Sequence, residues 1–326
     1  MAIPETYKAF RRAPGENAQT ILPAVERIPT LQPTDVLIRV HAVSLNYRDV
    51  GMLRGNYPVS VKDQGIPASD CAGEVVRLGS AVTQVSLGDR VSPIFDLKYI
   101  AKPDFEGKVA QLGGNVDGVL RQYAVFDQRV LVQIPPHLSW EERGCYIGTG
   151  GVSMFALVIC LAAGIHPIIT SSSDKKLQDI AAFGPHGAID TINYSDQPDW
   201  EDEVLRLTSG KGVDTVLETV GGTSFQKSVT SMATRGTISW IGFLGGLQLD
   251  DLVKTLGQLF LKVGTLKAIQ VGSKTDQESL CRFLEEKKVS LNSIIGKKFH
   301  FEESLEAFDY LYSGKCVGKV VITVLH

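Results

Sequence analysis

With 326 residues the chain exceeds the usual size of a single core, and 44% hydrophobic content suffices for two, so a two-domain soluble protein is expected. A net charge of -3 without a basic stripe gives no electrostatic case for nucleic acid or an anionic membrane as partner. Five cysteines, Cys71, Cys145, Cys160, Cys281 and Cys316, are odd in number and form no CxxC pair, which reads as free thiols in a reducing compartment and excludes a disulfide framework. The opening MAIPETYKAFRR lacks the apolar core of a secretory signal, so a cytoplasmic address is expected.

In chain order, DVLIRVHAVSL (Asp35 to Leu45), AGEVVRLG (Ala72 to Gly79) and LGDRVSPI (Leu87 to Ile94) alternate apolar and polar residues between turn signals and predict a β-rich first domain. The stretch from Asp96 to Gly118 has little periodicity and reads as a surface excursion. Beyond Gly148, the strand candidates HPIIT, DTINY, VDTVLETV, GTISWIGF and TLKAIQV alternate with the helical runs ALVICLAA, KKLQDIAAF and EDEVLRLTS. Such alternation predicts a parallel sheet with crossover helices. The nearly continuous apolar run from Gly151 to Thr170 approaches bilayer-spanning length, but Gly164, His166 and Pro167 interrupt it, so it reads as a buried helix and strand. A last amphipathic helix, EESLEAFDYLYSG, leads to the strand GKVVITVL, which could pair back onto the first domain. The six histidines show no spacing suited to metal binding, and Cys145 has no His or Asp beside it that would make it a nucleophile.

GTGGVS (Gly148 to Ser153) opens the apolar helix, and a Gly-rich turn ahead of a helix leaves backbone N–H groups free for a pyrophosphate. The strand that follows ends in Thr170, Ser171, Ser172 and Ser173, where an NAD site places Asp or Glu against the ribose 2′-hydroxyl. Hydroxyls followed by Lys175 and Lys176 suit a 2′-phosphate better, so NADP(H) is the expected cofactor.

These motifs, with SLNYRDVGMLRGNYP, IPASDCAGEVV, LGDRV, DTVLETVGG and GKVVI, resemble the medium-chain dehydrogenase/reductase superfamily, in its zinc-independent quinone oxidoreductase-like and enoyl reductase-like branch, over almost the whole chain. The resemblance implies an α/β protein with a GroES-like β-rich catalytic domain (1–139 and 287–326) and a Rossmann doubly wound parallel sheet (140–286) whose first strand is truncated. It places Gly148, Gly150, Gly151 and Val152 near the pyrophosphate, and Ser171, Ser173 and Lys176 at the 2′-phosphate. Tyr194 falls by the adenosine end, Ile241 and Phe243 by the nicotinamide, and Lys319 towards the cofactor phosphates. Where zinc-dependent members carry metal ligands, this chain has Ser44, Asn46 and Ser69-Asp70, so no metal is expected. Tyr57 matches a tyrosine that enoyl reductase relatives keep near the substrate, with Asn46 and Tyr47 beside it, and a phenol can donate to a developing enolate. The implied reaction is NADPH-dependent reduction of an activated C=C bond in an enone, enoyl or quinone substrate. Relatives also dimerise by joining sheet edges, and TLKAIQV (Thr265 to Val271) is the candidate edge.

One departure cuts across this. In the relatives that the resemblance points to, SWEE begins a helix that is followed by a loop and the first Rossmann strand; in HLSWEERGCYIGTGG only seven residues, Glu141 to Ile147, separate Trp140 from Gly148, so the resemblance implies that most of that helix, the loop and most of the strand are missing. That strand is central, and its loss leaves neighbouring backbone groups unpaired at about 1–3 kcal/mol for each buried one. Either GCYI takes its place or another segment fills the gap. Two functions are therefore carried forward: the reductase, and a chain that has lost hydride transfer and serves as a non-redox catalyst such as a cyclase or isomerase, or as a small-molecule binding protein.

Overall fold

The protein begins with an antiparallel hairpin, β1 (Thr6–Arg12) and β2 (Ile21–Arg27), which the sequence reading did not anticipate. Residues 3–15, 19–101, 109–145, 151–246 and 252–324 are described in this computed structural model. They fall into two compact units, residues 1–159 with 271–326 and residues 160–270.

In the first unit β3 (Asp35–Leu45) is followed by helix α1 (Tyr47–Leu53), β4 (Asp70–Leu78), β5 (Arg90–Pro93), β6 (Tyr123–Asp127), β7 (Leu131–Gln133) and helix α2 (Trp140–Cys145). β3 pairs antiparallel with β4 and with β6, and β4 continues through β5 to β7. Alternation along β3 predicts one buried face. Instead, Ala42, Val43, Ser44 and Leu45 are all fully buried, because strand pairing and the packing of α2 enclose this end of β3 on both sides.

Helix α3 (Val152–Ala163) leads into the second unit, which continues with β8 (Ile168–Ser171), α4 (Asp174–Ala181), β9 (Asp190–Asn193), α5 (Trp200–Leu207), β10 (Val213–Glu218), α6 (Phe225–Ser231), β11 (Met232–Trp240), α7 (Leu252–Leu261) and β12 (Thr265–Ala268). The alternation predicts this order, but the sheet is not continuous. β8 pairs only with β9, and β10–β11–β12 form a separate parallel piece, so among the described residues β8 and β10 each lack a partner on one edge. A central strand would have sat between two such edges. Thr170 on β8 and Thr215 and Leu217 on β10 are exposed, and only Met154 and Leu157 of the twelve-residue apolar helix α3 are buried. A smaller core of Phe225, Val229, Met232 and Ile238 lies between α6 and β11.

The chain then returns to the first unit through α8 (Lys274–Glu286), β13 (Ile295–His300), α9 (Ser304–Tyr312) and β14 (Lys319–Thr323). β14 pairs antiparallel with β3, with Val320 opposite Leu45 and Val321 opposite Ser44, so GKVVITVL does pair back as expected. No helix among the described residues is long and apolar enough to cross a membrane.

Candidate functional site

Strand register decides which polar side chains meet. Ser44 on β3 lies opposite Asp70 on β4 and Val321 on β14, so the chain just beyond β3, the start of β4 and the start of β14 converge. There Asn46 Nδ2 donates to Asp70 Oδ2 at 2.8 Å, Ser69 Oγ donates to Asp70 Oδ1 at 2.7 Å, and Lys319 Nζ donates to Asn46 Oδ1 at 2.7 Å. The ammonium stands 3.8 Å from Asp70 Oδ2, and Lys319, Asn46, Ser69 and Asp70 are each at most 3% exposed. Burial pushes the Asp70 carboxyl up to about 6, against the opposing pull of the Lys319 charge and the bonds from Asn46 and Ser69. The expected metal-ligand positions thus hold an amide, a hydroxyl and a carboxylate already bonded to one another.

Asn46 also caps α1, its backbone N–H donating to Asp49 Oδ2 at 2.8 Å. The N-x-x-D spacing that signals this cap is visible in the sequence, although Asp49 was not picked out there. Asp49 is fully buried, and that burial raises its carboxyl while Arg48 and the Asn46 N–H oppose the shift. Arg48 bonds the Leu112 carbonyl at 3.0 Å and lies over the Phe95 ring, and Arg12 bonds the neighbouring Gly113 carbonyl. Tyr57 packs against α1: a Cβ built on Gly51 would meet the Tyr57 ring at 3.3 Å, so glycine there admits the ring. Tyr57 is partly buried, which raises its phenol, with Arg48 opposing. Tyr47, the first residue of α1, is 44% exposed. Asn46 thus caps α1, Tyr47 begins it and Tyr57 packs against it. A groove of about 500 Å³ bounded by Ile28, Leu31, Arg77 and Gly79 lies at the other end of β4 and touches none of these residues.

Gly148 and Gly150 lie outside the described residues. Gly151 is in the left-handed region at φ 78° and leads directly into Val152, the first residue of α3. A Cβ on Gly151 would stand 3.5 Å from the Gly318 carbonyl carbon, so this turn approaches the residue preceding Lys319. The Lys319 ammonium itself is bonded to Asn46.

In the second unit, Ser173 caps α4, its Oγ accepting from Lys176 N at 3.4 Å, and the Ser171 hydroxyl accepts from Ser173 N at 3.3 Å. Tyr194 N donates to the Ser171 carbonyl at 3.0 Å, so Ser171, Ser173, Lys176 and Tyr194 gather at the ends of β8 and β9. Lys175 and Lys176 are exposed without an ion-pair partner among the described residues, and Asn193 Nδ2 donates to Asp174 Oδ1 at 2.7 Å. Hydroxyls and ammonium groups gathered in this way can hold an anion. Ile241 and Phe243 follow β11, where Ile241 N donates to the Glu218 carbonyl at 2.8 Å. Glu218 escaped the sequence reading. Its buried carboxylate accepts from Val220 N and Gly221 N at 2.8 Å, Ser224 Oγ at 2.9 Å and Ser228 Oγ at 2.5 Å, fixing the Gly-Gly turn after β10.

A GroES-like sheet joined in one chain to a Rossmann-like unit defines a two-domain dehydrogenase or reductase. Residues 32–136 match the alcohol dehydrogenase GroES-like domain, and residues 151–286 match the zinc-binding dehydrogenase family. A zinc-type alcohol dehydrogenase-like protein of Schizosaccharomyces pombe is 33% identical, over 90% of this chain and 92% of its own length. Prostaglandin reductase-3 of Mus musculus is 27% identical, over 100% of this chain and 91% of its own. A solved structure from Sinorhizobium meliloti 1021, described as an alcohol dehydrogenase by assignment, superposes with a TM-score of 0.87 at 29% identity, covering 99% of this chain and 100% of that one. The chain belongs to the medium-chain dehydrogenase/reductase superfamily of oxidoreductases. The alignment with the mouse reductase runs over 358 positions against 326 residues here, so at least 32 of those positions have no residue in this chain.

Proposed function

We propose that this chain is an NADPH-dependent reductase of activated C=C bonds that works without a metal. The observation that carries this reading is the cluster of Asn46, Ser69, Asp70 and Lys319, which bond to one another at the positions where zinc ligands would be expected. The hydroxyls of Ser171 and Ser173 with Lys176 support the choice of NADPH over NADH. Gly151 and Val152 would lie by the pyrophosphate and Ile241 and Phe243 by the nicotinamide, which when bound supplies the hydride for the β-carbon of the substrate. Electron density then moves onto the carbonyl oxygen, and the α-carbon takes a proton from water or an acid. Tyr57, whose phenol stays protonated because burial raises it, would donate a hydrogen bond to that oxygen as its charge grows. A small-molecule substrate with a conjugated carbonyl is the class that this chemistry requires, and a homodimer through β12 goes with the same reading.

The open edges of β8 and β10 favour a second reading, a cleft that binds a small molecule or rearranges it without hydride transfer. Titration of the purified chain with NADPH and NADH, followed by tryptophan quenching or calorimetry, separates the two. Micromolar NADPH binding with much weaker NADH binding is expected, as is enone-dependent NADPH oxidation that falls in Tyr57→Phe by about a hundredfold in kcat with KM little changed. Failure to bind either nucleotide would transfer the case to the second reading.

A further inference from the structure

Lys319 is the one lysine of the Asn46 cluster, and its burial has a cost. An ammonium taken out of water loses several kcal/mol of hydration unless charge and hydrogen bonds replace it. Here one hydrogen bond, to Asn46 Oδ1 at 2.7 Å, the Asp70 carboxylate at 3.8 Å and the attraction of the buried Asp49 carboxyl do so for a side chain that is 2% exposed. An apolar side chain of similar volume would fill the same space at the start of β14 more cheaply, so the charge answers to something besides packing.

What it acts on is the Asn46 amide. The oxygen and nitrogen of an amide are nearly equal in size, and packing alone does not tell the two orientations apart. An ammonium can only donate and a carboxylate can only accept. With Lys319 on one side and Asp70 on the other, one orientation makes bonds of 2.7 and 2.8 Å, whereas the flipped one sets NH₂ against NH₃⁺ and oxygen against oxygen. The fixed amide belongs to the residue that caps α1, the helix against which Tyr57 packs at Gly51. The turn delivering Lys319 is equally constrained. Gly318 has φ 84°, and a Cβ there would run into the Ile294 carbonyl at 2.2 Å, so the approach to β14 is set by backbone contact.

We propose that Lys319 is a positioning residue of the candidate site, acting through Asn46 to hold the N-terminal end of α1 and hence the Tyr57 ring. It rests on the reading of Tyr57 as the group facing the substrate carbonyl, and it gives Lys319 a task in the first unit distinct from holding cofactor phosphates.

The test uses the full chain with ¹⁵N-labelled asparagine and lysine and ¹³C-labelled tyrosine, comparing wild type with Lys319→Met and Lys319→Arg by NMR without cofactor. In the wild type the Asn46 side-chain amide is expected to be protected from exchange and to show a cross-peak with a slowly exchanging Lys319 ammonium. Lys319→Met should lose the protection at least tenfold and shift the Tyr57 ring signals, and Lys319→Arg should recover part of both. In NADPH-dependent turnover Lys319→Met should lower kcat by about a hundredfold with KM within about twofold, as displacement of a positioned group does. Unchanged Asn46 exchange and Tyr57 signals in folded Lys319→Met would overturn the proposal, as would a wild-type spectrum without the ammonium cross-peak even if no variant folds. Absent nucleotide binding sinks the reductase reading alone, since the NMR signals need no cofactor.

Discussion

Asp70 shows how one residue links the candidate site to stability. Its carboxyl is pushed up to about 6 by burial, whereas in the unfolded chain it titrates near 4, so between those values the native state holds the proton more tightly. Stability from this group is therefore greatest below pH 4, falls as pH rises through the window, and levels off above about 6. Over the whole window this amounts to about 3 kcal/mol, since Asp70 is fully buried. Carboxyls held low by partners act in the opposite sense, as Asp127 does with Arg129 bringing it down to about 2, but they are shared by any Asp70 variant and cancel in a comparison. Asp70→Asn keeps an acceptor for Asn46 and removes the titration. Denaturant unfolding at pH 4 and pH 7 should show the variant gaining about 2 kcal/mol on wild type between the two, because at pH 4 the unfolded carboxyl is already half ionised; parallel behaviour would place the Asp70 pKa near its ordinary value.

Elements were legible where a buried face or a cap wrote itself into the sequence. Asp35–Leu45 became β3 with the predicted bounds, SSSDKK became the Ser173-capped start of α4, and GKVVITVL became β14. α7 was not foreseen, because Val253, Phe260 and Leu261 on it are exposed and its apolar pattern marks no buried stripe within the chain. α8 announces itself with a Ser273–Asp276 capping box, a signal that was present and not weighed. The Lys319–Asn46 bond joins residues 273 apart, and only the β14–β3 register brings them together, which no local pattern encodes. Among the described residues β8 and β10 each have one ladder where an interior strand has two. Amides of Thr215 and Leu217 should therefore exchange with deuterium at least about two orders of magnitude faster than those of Val43 and Ile322 in the enclosed sheet of the first unit. Equal protection would mean that a further strand fills the open edge.

On the scale of the whole molecule, the second unit leaves large apolar side chains in water around α7, among them Val253, Leu256, Phe260, Leu261 and Val263. β12 is exposed along all four residues and pairs only with β11 among the described residues, while Phe260 and Leu261 are each about 80% exposed just before it. A three-stranded parallel piece with two open edges is marginal by itself, and an uncovered apolar edge invites pairing with another chain. Joining β12 to β12 of a second copy would turn β10–β11–β12 into half of a six-stranded sheet and bury the flanking apolar residues, with a two-fold axis relating identical surfaces. Dimerisation would then support a unit whose sheet, among the described residues, is open at β8 and β10, and stability would depend on protein concentration. Sedimentation velocity at micromolar concentration should show a dimer, and thermal unfolding should move to lower temperature on dilution through the dissociation range. Leu266→Glu with Phe260→Glu puts like charges across the joined edge and should give monomer with no concentration dependence. A wild-type chain that sediments as monomer at these concentrations would sink the dimer and leave the second unit to stand on its own core of Phe225, Val229, Met232 and Ile238.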